Sequence, residues 1–107
     1  MSPLAAALED LAARRETLSY GALARQLAIP GPGSINRLTE ALEAIMAEDA
    51  AAGRPLRAAL CEGRLAGGLP APGFFATARA LGLYDGADAG PEAEAFVSAQ
   101  RRALFNP

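Results

Sequence analysis

The residues that do chemistry in most proteins are scarce in this chain. It has 107 residues, no His, and ten bases that are all Arg. Without an imidazole, no Ser-His or Cys-His nucleophile pair can form within one chain, and the commonest metal ligand is missing. The single Cys, Cys61, cannot close an internal disulfide, and with no Lys or His to lower its pKa it reads as a small buried hydrophobe. Paired carboxylates do acid–base work only when they share a pocket in opposed environments. Glu48 and Asp49 are adjacent and point apart on a helix, and neither is set against Glu62 by its spacing, so Glu48-Asp49 reads as a solvated helix end. These absences predict a non-enzymatic chain with no cofactor and no metal.

The remaining chemistry is that of recognition. Gly31-Pro32-Gly33-Ser34 opens a helix with free backbone N–H groups, where an anion is favoured. Ser34, with Asn36 and Arg37 in the first turn and Arg25, Arg57 and Arg64 elsewhere, makes up the candidate phosphate contacts. Against them, the same helix carries Glu40, Glu43, Glu48 and Asp49, and the chain has twelve acids and a net charge of -2. A groove-reading helix brings positive charge to the phosphates, so only weak, salt-sensitive binding is expected. A second candidate is apolar: Leu69, Pro70, Phe74 and Phe75 follow a Gly/Pro loop and form either a partner patch or the lid of the core.

Five helices must position these residues. Ser2 caps and Pro3 opens the first, expected over 3–15 with Leu4, Leu8 and Leu11 on one face. A short extended link at 16–18 follows. Ser19 caps a second helix with Tyr20, Leu23, Ala24 and Leu27 inward. Residues 29–33 make a Pro/Gly turn. Ser34 caps the longest helix, with Ile35, Leu38, Leu42, Ile45 and Met46 at helical spacing and Gly53 at its end. Residues 56–61 and 64–66 read as two strands of a hairpin turned at Glu62-Gly63. A fourth helix opens at Phe74 and stops near Gly82. The last starts at Pro91, with Phe96, Ala99, Ala103 and Leu104 inward and Glu92, Glu94, Gln100, Arg101 and Arg102 outward. The length fits one domain, mainly α with a small β-hairpin, its core at about 3–82 and a C-terminal helix at about 91–105. A plain helical bundle in which 56–61 is not a strand is the alternative.

The order helix, strand, helix, helix, hairpin is that of a winged helix with extra C-terminal helices. Residues 17–82 resemble the C-terminal DNA-binding domain of methylated-DNA cysteine methyltransferases and their alkyltransferase-like relatives. The resemblance rests on Tyr20-Gly21-Ala22-Leu23-Ala24-Arg25, Pro30-Gly31, the helix from Ser34, Pro55 at the strand start, and Gly63, Gly67 and Gly68 in the wing. It implies a helix-turn-helix scaffold that binds double-stranded DNA. Leu56 and Arg57 occupy the positions of that family's reactive Cys and His, so alkyl transfer is not implied. The arginine that pushes a base from the stack falls near Asn36 or Arg37. The chain also resembles small bacterial proteins of uncharacterised role that share a Tyr-Gly-x-Leu-Ala segment and a later segment like Pro70-Ala71-Pro72-Gly73-Phe74-Phe75.

Two functions follow as expectations: weak DNA binding, or a protein–protein interaction through the wing and the Pro/Gly/Phe segment. The start Met1-Ser2-Pro3 lacks a signal peptide, and no stretch approaches the ~20 apolar residues of a membrane span. A cytoplasmic protein is expected, and the Ala/Arg/Gly bias is that of a GC-rich bacterial genome.

Overall fold

Serine and proline decide where the helices begin. In the computed structural model, which describes residues 2–107, Ser2 Oγ accepts from Ala5 N at 3.1 Å and Pro3 takes the first helical position of α1 (Pro3–Arg14). Ser19 Oγ likewise accepts from Ala22 N at 3.1 Å at the head of α2 (Tyr20–Gln26). Pro72 and Pro91 open α4 (Pro72–Ala80) and α5 (Pro91–Phe105). Helix α3 (Ser34–Ala51) differs from expectation: its cap is Gly33, in the left-handed region at φ 85°, and makes no side-chain hydrogen bond. Ser34 is its first helical residue and not its cap. Helix α4 also begins two residues before Phe74, because Pro72 suits a first turn that leaves its missing N–H without consequence.

The fold is mainly α with a small β element, but that element is not a hairpin. Strand β1 (Leu18–Ser19) pairs in parallel with β2 (Cys61–Glu62), with Leu18 opposite Cys61 and Ser19 opposite Glu62. The rest of the expected first strand is a 3-10 helix, Arg57–Leu60, while Cys61 does lie in a strand, so the alternative with no strand anywhere in 56–61 does not hold either. The cause lies in where its donors go. Leu56 N donates to Gln100 Oε1 at 2.8 Å, Arg57 N to Asp49 Oδ2 at 3.0 Å, and Ala59 N back to Leu56 O at 3.0 Å. These three donors are turned away from a ladder, and Ala58-Ala59 has little β preference to oppose this. Residues 64–66 turn instead of returning as a strand: Ala66 N donates to Gly63 O at 3.3 Å and Leu69 N to Ala66 O at 3.1 Å.

This 3-10 turn sits at the centre of the molecule. Ala58 and Ala59 are buried where α1, α3 and α5 meet around the turn; only small side chains let three helices approach one backbone so closely. Leu8, Leu11, Leu23, Leu38, Met46, Leu56, Leu60, Phe75 and Val97 fill the surrounding core. Ile35 is not among them; it lies at the start of α3, 44% exposed. Helix α5 belongs to the same core through Ala93 and Val97. Its inward stripe is Ala93, Phe96, Val97, Gln100, Arg101 and Leu104, while Ala99 and Ala103 face solvent. Gln100 and Arg101, expected outside, turn inward because they satisfy backbone groups of the central turn. No helix among the described residues is long and apolar enough to cross a membrane.

Candidate interaction site

The six candidate phosphate contacts do not all remain free. Arg25, Asn36, Arg37 and Arg64 are exposed and Ser34 is half-buried. Arg37 Nη1 donates to Pro30 O, which holds its side chain over the turn before α3. Arg57 is withdrawn. Its side chain is 12% exposed, its Nε donates to both Asp49 oxygens at 3.0 and 3.1 Å, and its Nη2 lies 2.9 Å from Oδ1. That carboxylate raises the guanidinium pKa, mostly through the hydrogen bond. Arg57 therefore leaves the phosphate-contact set, and its partner Asp49 sits about 18 Å further along α3 than Arg37. Beyond its first turn, the exposed face of α3 carries Glu40, Glu43 and Glu48 and no base.

Asp49 was expected in a solvated helix end and is instead wholly buried. An acid in the last turn of a helix opposes the helix dipole, and this one is retained because it closes the chain reversal after α3. It binds Arg57 as above and Arg54 Nη2 at 3.3 Å. The sequence signal was present: two arginines stand just beyond the Gly53 stop, within reach of the last turn.

The expected aromatic patch is part of the core. Phe74, Phe75 and Pro70 are buried and Leu69 is half-buried. Phe74 meets Phe75 edge-on at 5.2 Å, and Tyr84 stacks on Phe96 at 4.7 Å across the α4–α5 connector. Ile35 and Leu83 are about half exposed, and Leu65 is the most exposed large apolar side chain among the described residues, 98% exposed and at φ 57°. A left-handed backbone is unusual for Leu and costs about 1 kcal/mol or more.

Leu65 caps a loop that is tightly held at its base. Gly63 N donates to Leu69 O at 2.8 Å, closing the loop on itself. Arg101 reaches from α5, donating through Nε to Ala59 O and through Nη2 to Gly68 O, both at 2.8 Å. Tyr20 Oη accepts from Ala71 N at 3.0 Å, and Thr17 Oγ1 donates to Glu62. At Gly63 the two ends of the loop press together: a Cβ there would lie 3.0 Å from Ala71 N. The sequence signal for this loop is a lone Leu bracketed by Gly63 and Gly67-Gly68, which an extended reading of 64–66 hides.

Cys61 lies beneath the loop, fully buried, as expected of a small hydrophobe. Burial pushes its thiol up to about 12 despite the nearby Arg101 charge, so it stays protonated and a poor nucleophile. Burial also raises Tyr20 to about 12 and lowers Arg101. Among the described residues no group of three or more Cys, Asp or Glu is placed to hold a metal ion.

No family model matches the chain, and no curated protein and no solved structure matches it either. The likeness to the alkyltransferase domain therefore rests on its short motifs.

Proposed function

We propose that this chain is a non-enzymatic, mainly helical bacterial domain of the cytoplasm that binds a protein through the loop 63–69, with Leu65 as the anchor. The observation that carries this reading is a fully exposed Leu, held in an unfavourable backbone conformation at the tip of a loop whose base is braced from α2 and α5. Strain of this kind persists where the surroundings impose it, and it concentrates at functional positions. A pre-ordered loop also loses little entropy on docking. Arg64 beside Leu65 suits a partner with an apolar socket and an acidic lip. A non-enzymatic role is supported by the absence of His and Lys and by a single thiol held protonated.

Weak duplex binding through Arg25, Asn36, Arg37 and Arg64 is the second reading, favoured by the exposure of these four side chains and by the motif likeness. The two readings separate by variant. In capture from cells of the source organism, wild type retains a stoichiometric protein that Leu65→Asp loses and Arg37→Ala keeps. A captured protein indifferent to Leu65, or a nucleic acid lost with Arg37→Ala, overturns the loop reading.

A further inference from the structure

On the side of the molecule formed by the ends of α1 and α5, a cleft of about 530 Å3 opens. That volume is within the range of small-molecule pockets. Its apolar lining includes Ala12, Ala13, Pro55, Leu104 and Phe105, and its charged lining is Arg15, Arg54, Arg57 and Glu9. The three guanidinium groups are not equally engaged. Arg57 is committed to Asp49 and lies a loose 3.9 Å from Glu9. Arg54 makes one contact with Asp49, at 3.3 Å, and is otherwise exposed. Arg15 makes no ion pair among the described residues. A guanidinium presents five N–H donors in a fixed fork, so Arg15 and Arg54 hold most of theirs unused beside an apolar recess.

We infer that this cleft binds a small amphipathic anion, an apolar body lying on Ala12, Ala13 and Leu104 with a carboxylate or phosphate head held by Arg15 and Arg54. The unused donors select the sign: Arg15 makes no ion pair among the described residues and Arg54 makes one, whereas the acids Glu9 and Asp49 already lie against Arg57. The apolar lining selects the body, because a fully hydrated ion such as free phosphate gains nothing from it. This site is separate from the loop 63–69 and does not depend on what that loop binds.

The test is titration of the isotope-labelled full chain with octanoate, octyl phosphate and octanol, followed by amide NMR. Octanoate and octyl phosphate shift the amides of Ala12, Ala13 and Leu104 saturably, and octanol binds about tenfold more weakly or less. Arg15→Gln weakens both anions about tenfold, the scale of one lost charge-assisted hydrogen bond, leaves octanol unchanged, and is rescued by Arg15→Lys. Because Arg15 has no ion pair to lose, the variant keeps a dispersed spectrum. Absence of saturable shifts, equal affinity for octanol and octanoate, or shifts centred elsewhere overturns the inference. So do shifts at the same amides on raising protein concentration alone, which place a second copy in the cleft.

Discussion

The Asp49 carboxylate governs the chain reversal that builds the centre of the molecule. It is wholly buried, and it is balanced by one backbone N–H and two guanidinium groups. Removing one member of such a buried set leaves the others uncompensated, at a cost of about 3–5 kcal/mol. Asp49→Ala is expected to lower the unfolding free energy read from urea titration by that amount, whereas Glu48→Ala, on the exposed face, changes it by less than about 0.5 kcal/mol. The two groups beneath the loop set the alkaline behaviour. Cys61 and Tyr20 ordinarily ionise near 9.0 and 10.0, and in the folded chain both are raised to about 12. Above pH 9 the unfolded chain sheds these protons while the folded chain keeps them. Stability is therefore intact below pH 9 and falls as pH rises toward 12, by up to about 1.4 kcal/mol per pH unit for each group. Urea unfolding between pH 8 and 11 reads this slope, and Cys61→Ala removes the thiol's share of it.

At the scale of elements, the loop 63–69 depends on contacts that arrive from distant parts of the chain. Arg101→Met removes the donors to Ala59 O and Gly68 O and is expected to cost about 1–3 kcal/mol, with faster amide exchange across 63–69. Gly63→Ala forces a Cβ against the backbone at Ala71 and costs about 1–3 kcal/mol by the same measurement. Leu65→Gly has the opposite sign. It relieves the left-handed Leu and removes no packing, so stability holds or rises by up to about 1 kcal/mol. These differences follow what a sequence can express. Ser2-Pro3, Ser19 and Pro91 mark helix starts through local hydrogen bonding and ring geometry, so the helices were legible. The absence of a hairpin is not recoverable from local sequence because the fate of residues 56–60 is decided by Asp49 and Gln100, neither of them local. The shape of the loop 63–69 depends in the same way on the distant Arg101. Phe74 and Phe75 are apolar enough for either a patch or a core, and their burial depends on Tyr84 and Phe96 closing over them from the far connector and α5.

Taken as a whole, the molecule offers nucleic acid little continuous positive surface. Its net charge is -2, the solvent face of α3 is acidic after the first turn, and Arg57 is spent internally. Duplex binding followed by fluorescence anisotropy is expected to be undetectable at low micromolar protein and moderate salt. Binding at low salt that weakens steeply as salt is added, and that Arg37→Ala abolishes, would instead support the duplex reading.

The decisive measurement is calorimetric titration of the captured partner protein with wild type and with Leu65→Gly. A central apolar anchor is worth about 2 kcal/mol or more on truncation, so Leu65→Gly is predicted to weaken binding about 30-fold or more while its folding stability is unchanged or higher. A dissociation constant within about threefold of wild type would contradict the loop as the binding site.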